Sequence, residues 1–395
     1  MRRVSVFGAT GSVGQSTLDL LARRADLRVV ALTGGRNVAG LAQAARAHRA
    51  ELAVTAFEEC YRPLKEALAG TGIEVAGGSG AVVEAGYRPA DWVMSAIVGA
   101  AGLAPGFAAL SQGKTVALAN KESLVTAGPL LLAEARRHGA TILPVDSEHS
   151  AVFQALAGED IAAVERVIIT ASGGGLRDWP LERLARATPA DAGAHPNWDM
   201  GQRITIDSAS MFNKAMEVIE AREFFGLRPA QIEVLIHPQS LVHALVGFND
   251  GALMAHLGAP DMRHPIGYAL NWPSRAKLPV ARLDLAAVAR LDFHTPDPLR
   301  YPALTLAAQV MALGGAAGTV FNAAKEAALD HFIAGQIGFL EMAHTVEGTL
   351  ESYAGRDDIT RAPASLAEVL DIDREARALA SRWIGARQHG RPGAA

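Results

Sequence analysis

The sequence predicts an α/β protein: a parallel-sheet domain first, an α+β region in the middle and an all-helical ending. Three observations predict it. Short apolar runs alternate with helical stretches over roughly the first 145 residues. The pattern then changes to isolated strands around a long Gly- and Pro-rich segment, between residues 164 and 248. From about residue 301 onward only Ala- and Leu-rich helical periodicity remains.

The elements follow in order. "VSVF" (4–7) is a buried-type strand, Gly8 to Gly14 form a glycine-rich turn, and "QSTLDLLARR" has helical periodicity. "LRVVALT" (27–33) is a second strand that ends in "GGRN". "LAQAARAHRA" reads as helix and "LAVT" as strand, and the alternation continues through "DWVMSAI" (91–97), "KTVALA" (114–119) and "ATILPV" (140–145). Strand alternating with helix means βαβ units and a parallel sheet. In the middle, "VERVIITAS" (164–172) is a strand, and the stretch from Gly173 to about Gln202 is too long for an ordinary connection, which suggests a mobile lid. "SMFNKAMEVIEAREFF" (210–225) is a helix and "IEVLIHPQSLVHALVGF" (232–248) is strand, turn, strand. These patterns divide the chain into a Rossmann-like domain (1–146), a catalytic or connective domain (147–272, lid at about 172–202), a Pro-rich linker (273–300) and a helical domain (301–395).

Composition bounds the function. The 395 residues are 50% hydrophobic and 20% charged, enough apolar material for more than one core. A net charge of −4 gives no reason to expect a nucleic-acid partner or an anionic membrane surface. A single cysteine, Cys60, excludes an intrachain disulfide framework and a multi-thiolate metal site, and it fits a reducing compartment. The N-terminus lacks a signal-peptide pattern and no apolar run is long enough to span a bilayer, so a cytoplasmic protein is expected.

"GATGSVG" places glycines at 8, 11 and 14 between a strand and a helix. Glycine there permits a tight turn and close approach of a pyrophosphate to the helix N-terminus. Its spacing is not the commoner G-x-G-x-x-G, so the motif gains its weight from the strand–turn–helix context. After the second strand, where an NAD enzyme usually carries an acid, the chain reads "TGGRN". Arg36 suits a 2′-phosphate, which favours NADPH over NADH; a surface arginine at a strand end is the plainer reading.

"LPVDSEHS" (143–150) places Asp146 and Glu148 at the C-terminal end of an expected parallel strand, the edge at which ligands bind. Positions i and i+2 of an extended segment share a side. Two such carboxylates suit Mg²⁺ or Mn²⁺, though on the motif alone a solvated turn fits as well. Glu217, in "NKAMEVIEA", is an available third acid, though on the residues alone a helix-surface acid is the more ordinary reading. His149 reads as a supporting residue, since oxygen ligands suffice. Ser172, Ser208, Asn213 and Lys214 surround a helix start and make a phosphate-type cluster. Helix capping accounts for Ser208 or Ser210 but not for Asn213 beside Lys214.

Taken in order, "GATGSVGQSTLDL", "ALTGGRNV", "AIVGAAGL", "LANKESLVTAG", "LPVDSEHSAVFQ", "HPNWDMGQRITIDSASMFNKAMEVIEA", "VLIHPQS" and "GAPDMRHPIGYAL" closely resemble the 1-deoxy-D-xylulose 5-phosphate reductoisomerase family. The resemblance runs from about residue 4 to 275, and "FNAAKEAAL" extends it into the helical part. It implies an NADPH- and Mn²⁺- or Mg²⁺-dependent enzyme of non-mevalonate isoprenoid synthesis, acting on a sugar phosphate as a homodimer. By motif match, Asp146, Glu148 and Glu217 would hold the metal, and Ser147 and Lys121 would contact substrate. Ser172, Ser208, Asn213 and Lys214 would hold its phosphate, with His195 nearby in a catalytic and substrate-binding role. Trp198 and Met200 would belong to the lid. Thr10, Gly11, Ser12, Val13, Gly35, Arg36, Asn37, Asn120, Glu122 and Gly201 would meet NADPH. Two departures stand out: "GGGL" after Ser172 where relatives read Gly-Gly-Pro-Phe, expected to loosen the lid, and Lys325 where Asn is usual, expected only to alter helix packing.

Rival readings are weaker. A semialdehyde dehydrogenase needs a nucleophilic cysteine, and Cys60 lies in a polar segment. A Tyr-x-x-x-Lys pair occurs at Tyr61 and Lys65, but Pro63 is expected to break the helix such a pair requires. A non-catalytic NADPH sensor would explain the glycine loop but not the acids or the phosphate-type cluster.

Overall fold

The computed structural model describes residues 1–194, 201–356 and 358–389. In chain order the elements are β1 (Arg2–Phe7), α1 (Ser12–Leu21), β2 (Leu27–Gly34), α2 (Val38–Ala47), β3 (Leu52–Thr55), α3 (Tyr61–Ala67), β4 (Glu74–Gly77), α4 (Ser79–Gly86), β5 (Trp92–Ser95), α5 (Leu103–Leu110), β6 (Thr115–Leu118), α6 (Glu122–His138), β7 (Thr141–Pro144), α7 (Ser147–Ala155) and β8 (Val164–Ala171). They continue with α8 (Leu181–Leu184), α9 (Pro189–Ala192), α10 (Gln202–Ala209), α11 (Phe212–Phe225), β9 (Ile232–Ile236), β10 (Val242–Phe248), β11 (Leu253–Leu257), α12 (Arg263–Asn271), α13 (Leu285–Val288), α14 (Pro302–Leu313), α15 (Ala317–Ile333), α16 (Glu341–Ala354) and α17 (Leu366–His389). They pack as two compact units. The first holds residues 1–123, 129–153 and 261–282; the second holds 124–128, 154–260 and 283–395.

The first unit is built on a seven-stranded parallel sheet of order β4-β3-β2-β1-β5-β6-β7. Its strands are nearly uniform apolar runs because helices cover both faces of such a sheet. β4 carries Glu74 and ends in glycine, so it lacks the apolar run that made the others readable. The order reverses between β1 and β5, and the crevice beyond the carboxyl ends of those strands is where ligands bind in open sheets. Gly8 lies there with φ +84°, and a Cβ on it would meet the Ala96 carbonyl oxygen after β5 at 2.4 Å. Gly14 is equally confined: a Cβ would meet the Gly8 carbonyl oxygen at 2.2 Å. The glycine loop is therefore forced by contact at the switch point. α12 joins this unit from far along the chain. It buries Ile266, Ala269 and Leu270 in the sheet's core, and the Trp92 indole N–H donates to the Ala269 carbonyl at 3.1 Å.

Pro63 does not break a helix. It sits in the first turn of α3, where a missing N–H is not needed, and Tyr61 and Lys65 both lie on that helix. The Lys65 ammonium stands 5.7 Å from the Tyr61 ring centroid, an ordinary surface contact. Cys60 is buried, which removes the accessible nucleophile that the semialdehyde dehydrogenase reading requires.

The second unit contains a four-stranded mixed sheet of order β11-β10-β8-β9. β9 and β10 follow each other in sequence but flank β8 on opposite sides, β9 parallel and β10 antiparallel to it. The turn between them is thus a crossover and not a hairpin. The helical part centres on α15, which is buried on nearly every face. The Thr319 hydroxyl donates to the Thr126 carbonyl at 2.8 Å, near the point where Ala127 leaves helical geometry and Pro129 follows. The kink at Ala127 and Pro129 disturbs the ladder there.

Much of the segment expected to be a mobile lid is anchored. Residues 173–194 carry α8 and α9 and bury Leu176, Leu184 and Ala192. Arg300 donates to the carbonyls of Leu176 (3.2 Å) and Trp179 (2.6 Å). At the "GGGL" departure Leu176 is buried, and a Cβ at Gly175 would meet the Ala194 carbonyl oxygen at 2.1 Å. His195, Trp198 and Met200 lie outside the described residues.

Candidate active site

In the first unit the nucleotide-type features gather at the carboxyl ends of β1 and β2. Gly11 is the N-cap of α1 and no side chain caps that helix among the described residues. Thr10, Gly11, Ser12 and Val13 therefore lie where the first free amides and the helix dipole favour an anion. Gly35 and Arg36 follow β2. The Arg36 guanidinium lies over the Phe57 ring, 4.0 Å from its centroid, and pairs with Glu59. The Asn37 carboxamide oxygen accepts from the Gly40 N–H at 3.0 Å, so it caps α2. Asn120 is also committed to the scaffold. Its amide donates to the carbonyls of Ile97 and Gly99, and its oxygen accepts from the Ser123 N–H at 2.9 Å. Glu122, beside it, is buried at the start of α6. Gly201 belongs to the second unit, as the N-cap of α10.

At the far edge of the same sheet, β6 and β7 deliver Lys121 and Asp146. The strands are in parallel register, Leu118 opposite Pro144. The Lys121 ammonium lies 2.5 Å from Asp146 Oδ2. His149, wholly buried in the first turn of α7, places Nδ1 3.6 Å from the same oxygen. Burial is the strongest influence on Asp146 and disfavours its charge; Lys121 and His149 outweigh it and hold the carboxyl well below the ordinary carboxylate range. The sequence reads His149 as a supporting residue, and its i, i+3 spacing from Asp146 on the turn into α7 agrees with that.

The local geometry differs from the expected extended segment. Ser147 and Glu148 open α7, so the alternation of a strand does not operate there. Asp146 and Glu148 nevertheless present carboxylate oxygens within 4.8 Å of each other, brought together by the strand-to-helix turn. The Ser147 hydroxyl donates to Glu148 Oε2.

In the second unit Glu217 is fully buried on α11. Its Oε2 lies 2.5 Å from the Lys214 ammonium, and its Oε1 accepts from the Asn213 amide at 2.6 Å. Residues i−3 and i−4 on a helix share its face, which explains the trio. Lys214 is almost as buried as Glu217, so each offsets the desolvation of the other. Glu220, one turn further, is also buried and was passed over in the sequence; its i+3 spacing from Glu217 was the signal.

Ser208 ends α10 and Asn213 and Lys214 open α11, with Met211 between them in the left-handed region at φ +62°. The Ser172 turn packs directly on this corner. Gly174 has φ +69°, and a Cβ on it would meet the Ala209 Cα at 2.4 Å and the Ser208 carbonyl oxygen at 2.8 Å. The Ser172 hydroxyl accepts from the Gly174 N–H at 3.1 Å. The Tyr301 hydroxyl donates to the Gly173 carbonyl at 3.1 Å, and burial pushes the Tyr301 phenol up to about 12. Ser172, Ser208, Asn213 and Lys214 thus lie on segments that meet at one corner, with the Asn213 amide and the Lys214 ammonium turned to Glu217.

Comparison with known proteins fits this arrangement. Residues 4–128 match the family model described as 1-deoxy-D-xylulose 5-phosphate reductoisomerase. Residues 142–225 and 257–379 match two models described as C-terminal domains of DXP reductoisomerase. A 1-deoxy-D-xylulose 5-phosphate reductoisomerase of Jannaschia sp. (strain CCS1) is 69% identical over 381 residues, covering 96% of this chain and 97% of the relative. One of Ruegeria pomeroyi is 68% identical over 378 residues, covering 95% and 96%. Among solved structures, the Zymomonas mobilis reductoisomerase in complex with NADPH superposes with a TM-score of 0.90 at 48% identity, covering 97% of this chain and 99% of the other. A DOX-P reductoisomerase in complex with NADPH, fosmidomycin and magnesium gives 0.93 at 37% identity, covering 98% and 99%.

Proposed function

This chain belongs to the 1-deoxy-D-xylulose 5-phosphate reductoisomerase family, and from that premise we propose which of its residues do the work. The enzyme is an NADPH-dependent oxidoreductase that also uses a divalent metal. It rearranges and reduces 1-deoxy-D-xylulose 5-phosphate to 2-C-methyl-D-erythritol 4-phosphate. The observation that carries the residue assignment is the pairing of Asp146 and Glu148 beside the Lys121 ammonium, at the end of a parallel strand.

In this reading Asp146, Glu148 and Glu217 hold the ion, Mn²⁺ or Mg²⁺. The donor set supports it: all three are hard carboxylates, and Asp146 and Glu217 each lie 2.5 Å from a lysine that balances their charge. When bound, such an ion polarises a carbonyl and stabilises negative charge on a substrate oxygen. NADPH supplies the hydride. Lys121 contributes positive charge beside the developing oxyanion. Ser147 orients Glu148 and meets the substrate. Ser172, Ser208, Asn213 and Lys214 bind its phosphate, and that binding energy serves closure of a lid carrying His195, Trp198 and Met200. Thr10, Gly11, Ser12 and Val13 take the NADPH pyrophosphate. Gly35, Arg36 and Asn37 take its 2′-phosphate end, and Asn120, Glu122 and Gly201 complete its site. We retain the division into cofactor-binding, catalytic and helical domains as part of this reading, and with it a homodimer. The lone buried Cys60 fits a reducing, cytoplasmic setting.

Arg36 tests the cofactor assignment. Arg36→Asp puts an anion where the 2′-phosphate would lie, so kcat/KM with NADPH should fall by at least about a hundredfold, the loss of one strong charge-assisted contact plus repulsion. With NADH it should change little. Equal losses for both nucleotides would refute the assignment.

A further inference from the structure

We propose that Lys325 is a positioning residue for the substrate-phosphate site, acting through the buried carboxylate of Asp207 to fix Ser208. The proposal rests on the reading of Ser208 as a phosphate contact.

Lys325 lies on α15 with 5% of its surface exposed, and its ammonium donates to Asp207 Oδ2 at 3.1 Å. Asp207 is 8% exposed and immediately precedes Ser208 at the end of α10. A second, exposed pair between Arg203 and Asp330 joins the same two helices one turn earlier. The rest of the corner is already tied. The Ser210 hydroxyl donates to the carbonyls of Ile206 (2.9 Å) and Asp207 (3.3 Å), and the Met211 N–H donates to the Ser208 carbonyl at 3.2 Å. Gly174 closes the remaining side against Ala209. What these backbone contacts leave open is the seating of α10 on α15, and the Lys325–Asp207 pair sets it directly beside Ser208.

Helix packing alone does not call for this pair. Burying two charges is costly, and apolar side chains of similar volume usually hold two helices together as well or better. A directional contact does what an apolar one cannot: it fixes how far α10 turns and slides along α15. The expectation from sequence that Lys325 only alters helix packing is therefore too weak. The residue also links the buried helix of the helical domain to the turn that presents a phosphate ligand.

The test is steady-state kinetics of the full chain with Lys325→Met, Lys325→Arg, Ser208→Ala and the double variant Lys325→Met/Ser208→Ala. Lys325→Met should raise KM for the sugar phosphate about tenfold, the loss of one well-placed hydrogen bond to a charged group. KM for NADPH should stay within about twofold, and Lys325→Arg, which keeps the charge, should recover most of the loss. Ser208→Ala should also raise KM for the sugar phosphate about tenfold. The double variant should be no worse than about the poorer single variant, because both act on one contact. If Lys325→Met does not fold, Lys325→Met/Asp207→Leu removes the stranded carboxylate and should show the same rise in KM. An unchanged KM in Lys325→Met, or in Lys325→Met/Asp207→Leu, while Ser208→Ala is impaired would leave Lys325 a packing residue and overturn the proposal alone. Effects that multiply in the double variant would also overturn it. An unimpaired Ser208→Ala would overturn the phosphate reading and this proposal together.

Discussion

Glu217→Gln is expected to lower turnover by roughly two to three orders of magnitude, the range seen when a preorganised electrostatic contact to a reacting group is lost. The substitution keeps shape and removes charge. Glu217 is fully buried, with Lys214 2.5 Å from one oxygen and Asn213 2.6 Å from the other. A glutamine can replace the hydrogen bond from Asn213 but cannot neutralise Lys214. The enzyme should therefore bind Mn²⁺ more weakly and also lose stability, by about 3–5 kcal/mol for a buried charge left unpaired. Denaturant unfolding reads the second effect, and manganese titration with turnover at saturating metal reads the first. Turnover and metal dependence both at the wild-type level would remove Glu217 from the metal site. A stability loss with normal turnover would make it purely structural.

Lys214→Met is the second large effect. Methionine fills the buried stem without the charge, so the change isolates the ammonium. Lys214 opens α11, in its first turn. Removing it should raise KM for the sugar phosphate about ten- to a hundredfold, one charge-assisted contact at a phosphate, with KM for NADPH nearly unchanged. Turnover should also drop, because Glu217 loses the group that holds its Oε2. A normal KM for the phosphorylated substrate with reduced kcat would assign Lys214 to Glu217 alone.

Much of the fold is legible in the sequence. The parallel sheet announced itself through apolar strands alternating with helical runs, and the glycine loop, Arg36 and the paired acids fell at the sheet's carboxyl edge as expected. β4 escaped because Glu74 and two neighbouring glycines interrupt its apolar pattern. β11 escaped because it is an exposed edge strand in which no clean alternation develops. The return of α12 to the first unit is a long-range event that local periodicity does not encode. At the candidate site one geometric reason differs from the expectation: Asp146 and Glu148 meet across a strand-to-helix turn and not along a strand. Glu220 was undervalued because its burial depends on packing partners that sequence spacing does not name. The anchoring of residues 173–194 was hidden for the same reason, since Arg300 and Tyr301 reach them from far along the chain.

The most direct measurement is NADPH oxidation by the full chain with 1-deoxy-D-xylulose 5-phosphate, first after metal removal with a chelator and then on restoring Mn²⁺ or Mg²⁺. The predicted result is no oxidation in chelator, none without the sugar phosphate, and full recovery that saturates at one ion per chain. Oxidation that persists in chelator, or NADPH consumption without the sugar phosphate, would contradict the account.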